Sequence, residues 1–219
     1  MMGEGYVVYG AAGTGSVPVE AALTLLGERY RVVEPANWDE GAANEEVARI
    51  NPMRQVPALI LPSGELMTES AAILIYLADG HPGSGLAPPL GSPMRPRFLR
   101  WMAFIAAQIY ALYWIRDVPA RLAADADHEA LLRERTAARI AECWRIMGRQ
   151  IEPAGRFMLG DEISVLDLYM TAVSRWGPRR RAFYEVAPRL GDVARAVDAE
   201  PRLAALWAAR MPFKDGWEG

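Results

Sequence analysis

Between His81 and Pro96 the chain reads HPGSGLAPPLGSPMRP, and this stretch limits the possible folds more than any other. Proline removes a backbone donor and glycine loosens the chain, so neither a helix nor a central strand forms there. The two flanks differ in kind. On the N-terminal side short β-branched runs alternate with helical patterns, whereas on the C-terminal side nearly every pattern is helical. With 219 residues, 52% of them hydrophobic, there is enough apolar side chain for a core on each side. The expected division is a first domain at 1–80, a linker at 81–94 and an all-helical domain at 95–219.

In the first part, GYVVY at 5–9 reads as a buried strand, followed by a helix from about Val17 to Glu28 and a second strand, YRVVEP. Such a βαβ unit pairs its strands in parallel with a right-handed crossover. NEEVARINP then reads as a short helix ended by Asn51-Pro52. PALILP and GELMTE read as two antiparallel strands joined by the turn Pro62–Glu65, and ESAAILIYLAD as a buried helix. The order is βαβ, then αββα.

In the second part, 95–124 is rich in bulky apolar residues. Ile140, Trp144, Met147 and Ile151 recur on one helical face with Cys143 beside them, so Cys143 reads as a buried, inert thiol. Further helices over 164–211 are separated near Gly177-Pro178, Pro188 and Pro201. Ser164 and Asp167 are spaced as a capping box, with Asp161 supporting the preceding turn.

Charge excludes several partners. With 24 basic and 27 acidic residues the net charge is -3, which attracts neither nucleic acid nor an anionic membrane surface. Arg179, Arg180 and Arg181 form the tightest basic run and read as a solvated helix face. A single cysteine rules out an internal disulfide, and His81 and His128 lie in different segments, so no metal site is expected. The N-terminus carries no secretory pattern and the apolar run Ala71–Ala78 is far short of the ~20 residues of a membrane span. The expectation is a soluble, cytoplasmic protein.

The stretch YGAAGTGSVP at 9–18 puts a glycine-rich loop between strand and helix, where phosphates often sit. A P-loop requires a Gly-Lys pair, and the sole lysine is Lys214. A dinucleotide fold is suggested by Gly10, Gly13 and Gly15, with Glu34 placed as a ribose-binding acid. Against it stand the order GxxGxG, Pro18 where a small residue is wanted, and closure of the unit by an antiparallel pair.

A third reading comes from NPMRQVPALILPSGELMTESAAILIYLAD at 51–79, which resembles the glutathione-binding segment of the glutathione transferase family. The resemblance covers most of the chain and implies a thioredoxin-like N-terminal domain, an all-α C-terminal domain, a cytoplasmic homodimer and glutathione as co-substrate. It also implies that Gln55, Val56, Pro57, Glu69 and Ser70 hold glutathione. A cis proline at Val56-Pro57 leaves the Val56 backbone free to pair with an extended peptide, and a helix starting at Ser70 offers N–H groups to a carboxylate. Ser16-Val17-Pro18 resembles the S-x-P of serine-type members, so Ser16 ranks first as the group that activates the thiol, Tyr9 second and Thr14 third. Tyr110, Trp114 and Tyr113 are the expected lining of a pocket for a small hydrophobic electrophile. A non-catalytic binding or regulatory protein with the same fold is the alternative.

Overall fold

The computed structural model describes residues 5–34 and 42–213, with backbone alone for 42–44 and 46. Lys214 lies outside them. The described chain forms two compact units, one of residues up to Pro89 together with Asp198–Phe213, the other of Leu90–Val197.

The first unit has a four-stranded sheet in the order β2-β1-β3-β4. β1 (Tyr6–Tyr9) pairs in parallel with β2 (Tyr30–Val33) and antiparallel with β3 (Ala58–Ile60), which pairs antiparallel with β4 (Leu66–Thr68). α1 (Val17–Leu26) makes the crossover between β1 and β2, α2 (Ala42–Ile50) leads to β3, and α3 (Ser70–Gly80) follows β4. This is a thioredoxin-like fold with the element order legible in the sequence. Val8 and Leu59 in the sheet, Leu23 in α1 and Ile73, Leu74 and Leu77 in α3 are completely buried, and α1 packs on α3. Each such side chain contributes about 1.5–3 kcal/mol on burial. Gly27 ends α1 at φ 69, where only glycine is unstrained, and its N–H bonds the Thr24 carbonyl.

A short C-terminal helix completes this unit. Leu203, Trp207 and Met211 recur every fourth residue and are buried, and both α10 (Ala204–Arg210) and the 3₁₀ turn Pro201–Leu203 pack on α1. The sequence pattern announces this helix but not which core it covers, so the expected all-helical domain from 95 onward is shorter by the segment Asp198–Phe213.

The second unit is entirely helical. α4 (Arg95–Phe104), a π-helical turn (Ile105–Tyr110) and α5 (Ala111–Asp117) run as one helix. By length and composition this helix is apolar enough to cross a membrane, which the interleaved Arg97, Arg100 and Gln108 obscure in the sequence. Its stripe of Phe98, Trp101, Met102, Ile105, Ile109 and Tyr113 is instead the core of the unit. α6 (Ala126–Gln150), α7 (Val165–Val173), α8 (Arg179–Val186) and α9 (Pro188–Asp198) follow. Ile140, Cys143, Trp144 and Met147 are buried on one face of α6, and burial pushes the Cys143 thiol pKa up. Arg179 and Arg181 are exposed as expected. Arg180, however, is completely buried, because it reaches the Thr171 carbonyl at 3.0 Å and the Tyr184 hydroxyl at 3.1 Å.

Asp161 accepts from the Arg156 N–H, supporting its turn, and the capping box at α7 is formed. The Asp167 carboxylate accepts from the Ser164 N–H at 2.8 Å, the Ser164 hydroxyl and the Met158 N–H at 2.9 Å. Complete burial outweighs these bonds and raises its pKa from 3.8 to about 6. A carboxyl group that ionises later in the folded state than in the unfolded chain costs stability as pH rises. The cost is absent below 3.8 and fully developed above about 6. Denaturant unfolding of wild type and Asp167→Asn across this window is expected to show a falling component in wild type that the variant lacks.

Candidate functional site

The loop from Gly10 to Ser16 is held by bonds from its own hydroxyls and from distant carboxylates. An added Cβ at Gly10 would lie 2.2 Å from the Ser16 Cβ, so the loop folds only because position 10 has no side chain. Ser16, the first-ranked activating hydroxyl, is 0% exposed. Its side chain does not cap α1; its Oγ donates to the Glu20 carboxylate at 2.9 Å. Thr14 is half-buried, with its Oγ1 3.1 Å from the Ser16 Oγ and 2.8 Å from the Ala11 carbonyl, to which it donates. The Ser16 N–H points at the same Thr14 oxygen at 3.3 Å. Tyr9, the last residue of β1, is half-buried.

Behind the loop lies an ion pair absent from the sequence pattern. Glu20 is 1% exposed and faces Arg210 of α10, with Nε to Oε2 at 2.7 Å and Nη2 to Oε1 at 3.2 Å. Arg210 Nη1 also bonds Glu34 at 2.7 Å, and these two carboxylates hold its pKa above the ordinary value. The Arg210 guanidinium in turn holds the Glu34 carboxyl below its usual range. Glu34, a ribose-binding acid in the dinucleotide reading, accepts from the Ala12 N–H at 3.1 Å and so braces the loop. Such a long-range pair leaves no periodic signal, which is why sequence reasoning missed it.

The opposite flank is formed before β3 and at the start of α3. Val56-Pro57 is a cis peptide, as the sequence leads one to expect. Among the described residues neither the N–H nor the C=O of Val56 has a hydrogen-bond partner. Asn51 organises the approach: its Nδ2 donates to the Gln55 carbonyl at 2.9 Å and its Oδ1 accepts from the Met53 N–H at 3.0 Å. Asn51 reads in sequence only as a helix stop. Glu69 sits at φ 66, ψ 100, a region that costs a non-glycine residue about 1–3 kcal/mol. Its carbonyl accepts from the Ile73 N–H at 2.9 Å, its side chain is exposed, and Ser70 beside it is 5% exposed.

Three aromatic side chains were expected to line a pocket, and all belong to the second unit. Tyr110 is half-buried against Trp176, with ring centroids 4.8 Å apart. Tyr113 is 3% exposed, meets Trp176 edge-on at 5.1 Å and carries a hydroxyl pKa raised by burial, as core residues do. Trp114 is 41% exposed with the Arg121 guanidinium 4.7 Å above its ring. Among the described residues no group of three or more His, Cys, Asp or Glu is placed to hold a metal ion.

The fold and the flank at Val56 define a thioredoxin-like α/β protein with an unpaired backbone segment beside a helix N-terminus. Residues 16–79 match the family model described as "Glutathione S-transferase, N-terminal domain". An uncharacterized GST-like protein, YncG, of Escherichia coli strain K12 is 33% identical over 90% of this chain and 94% of its own length. A maleylacetoacetate isomerase of Rhizobium meliloti is 35% identical over 70% of this chain and 72% of its own. The solved structure of a sphingomonad glutathione S-transferase complexed with glutathione is 27% identical, with a TM-score of 0.73, covering 93% of this chain and 98% of that one. The chain belongs to the glutathione S-transferase family.

The close approach of Gly10 to Ser16 gives a direct check on the loop. Gly10→Ala is expected to destabilise the first unit by at least about 1–3 kcal/mol, as overpacking does, measured by denaturant unfolding. A stability equal to wild type would mean that the loop is built differently.

Proposed function

We propose that the protein binds glutathione on the first unit, lowers the pKa of its thiol at the glycine loop, and directs the thiolate onto a small hydrophobic electrophile. The observation that carries this reading is the unpartnered Val56 backbone, followed across β3 and β4 by Glu69 and Ser70 at the start of α3. An extended peptide adds to such a backbone as a strand, and a helix N-terminus favours its carboxylate. Gln55 and Pro57 flank the paired residue, and Glu69 meets the peptide's ammonium group.

Burial sets Ser16 apart from Thr14 and Tyr9, and of these two half-buried hydroxyls Thr14, which lies within the loop, is the one taken to touch sulfur, its proton turning from the Ala11 carbonyl to the thiolate. Ser16 then acts from behind, since its own proton is committed to Glu20. An ordinary thiol titrates near ~8.5, and lowering that by ~2 units takes about 2.7 kcal/mol, within reach of one charge-assisted hydrogen bond and a helix dipole. The thiol proton leaves to solvent, the sulfur lone pair forms a bond to carbon, and the leaving group or an adjacent acceptor takes the displaced pair. In the second unit Tyr110 and Trp114, neither of them fully buried, are the proposed contacts for the electrophile, and Tyr113 lies in the core.

Glutathione-dependent isomerisation is the second reading, favoured by the 35% identity to an isomerase. It uses the same first unit. The exposed side chains of Met53 and Leu66 are in keeping with a homodimer, and a cytoplasmic, detoxifying role goes with the glutathione reading.

Calorimetric titration with glutathione, followed by ultraviolet absorbance of the bound thiolate across pH, tests the reading. Saturable binding with thiolate present below the free thiol's pKa is expected; absence of binding would leave a non-catalytic member of the family. Thr14→Val is expected to lower turnover roughly ten-fold while changing glutathione affinity less than about three-fold. If the loss fell on Tyr9→Phe instead, tyrosine would be the sulfur's partner.

A further inference from the structure

We infer that Arg210 is a positioning residue for the thiol site: it fixes the glycine loop at three points and cancels the charge of the carboxylate buried behind it. The inference rests on the glutathione reading above for its electrostatic half and on geometry alone for the other. The Arg210 carbonyl accepts from the Gly13 N–H at 2.8 Å. Its guanidinium holds Glu34, which accepts from the Ala12 N–H, and it holds Glu20, which accepts from the Ser16 hydroxyl. Gly13, Ala12 and Ser16 are thus all tied to one residue almost two hundred positions away.

The charge argument follows from the order of these groups. Glu20 lies one hydrogen bond behind Ser16 and two behind Thr14, at the same end of α1 that would favour a thiolate. A lone carboxylate there would oppose a second negative charge and raise the thiol pKa. Arg210, bidentate to Glu20, removes that opposition. The other charged groups around α1 do not replace it. Tyr30 of β2 bonds Thr24, Glu34 is itself negative, and Glu200, which caps the 3₁₀ turn, pairs with Arg202 within it at 2.7 Å. From α3 and its N-cap, Glu69, Tyr76 and Asp79 are exposed, and Tyr9 of β1 is half-buried.

The test measures two things on the full-length protein: the pH midpoint of thiolate formation by bound glutathione, and hydrogen exchange of the amides of residues 11–16. Arg210→Gln is expected to raise the midpoint by about one unit and Glu20→Gln to lower it, because the first removes a positive charge and the second a negative charge from the Glu20–Arg210–Glu34 cluster behind the loop. Combining the two is expected to return the midpoint to near the wild-type value, and Arg210→Lys to keep it there. A merely structural role predicts weaker binding without these opposite shifts. Faster exchange of the Ala12 amide, whose partner Glu34 loses its guanidinium, is expected in Arg210→Gln, whereas the Gly13 amide keeps the main-chain carbonyl of position 210. Should that variant fail to fold, Glu20→Gln and the double variant still carry the sign test. Normal binding by wild type with unmoved midpoints in the variants overturns the charge inference, and unchanged exchange overturns the clamp. Wild type that takes up no glutathione overturns the glutathione reading and the charge inference together, while exchange still decides the clamp.

Discussion

The pairing of Glu20 with Arg210 is the interaction on which the candidate site depends. Removing a carboxylate from water costs several kcal/mol even after the protein relaxes, and an uncompensated charge left by breaking such a pair costs about 3–5 kcal/mol. Glu20 is buried in the first turn of α1, surrounded by the apolar residues that pack this helix on α3. Its position is tolerable because the helix dipole, the Ser16 hydroxyl and a bidentate guanidinium all meet it. The loop that would receive a thiol is therefore shaped by the needs of a buried acid. Ser16 faces inward for that reason, and Thr14 is left as the outer hydroxyl.

Much of the fold could be read from residues alone. The parallel pair at GYVVY and YRVVEP, the antiparallel hairpin and the two apolar helices follow from β-branched runs, turn residues and helical spacing, all local properties. The Pro/Gly stretch at 81–96 separates the two kinds of pattern because it supports neither. What could not be read depends on distance. The C-terminal segment carries an apolar repeat at Leu203, Trp207 and Met211 that fits either core, and only its packing on α1 and the pairing of Arg210 with Glu20 decide between them. Arg180 misled for a related reason: three consecutive arginines look solvated, yet the middle one finds the end of α7 and a tyrosine one turn on.

The site divides in the same way. Val56-Pro57 and Glu69-Ser70 are contiguous motifs, and their placement before β3 and at the start of α3 follows from the strand and helix that they introduce. The unusual backbone of Glu69 was not foreseeable, because nothing in its side chain favours φ 66; the flanking strand and helix impose it. The hydroxyls of the glycine loop are adjacent in sequence, so motif resemblance ranks Ser16 first, while burial, a three-dimensional property, separates it from Thr14. The supporting roles of Asn51 and Glu34 are long-range or loop-internal and carry no periodicity.

That α10 belongs to the first unit also affects how the chain matures on the ribosome. The strands and helices up to Pro89 emerge first, yet the guanidinium that balances Glu20 follows roughly 120 residues later. At ~5–20 residues per second of synthesis, the glycine loop waits on the order of ten seconds with its acid unbalanced. The whole helical unit is translated in that interval. A chain interrupted before Arg210 therefore presents Val56-Pro57 and Glu69-Ser70 complete, beside a loop that has not been set.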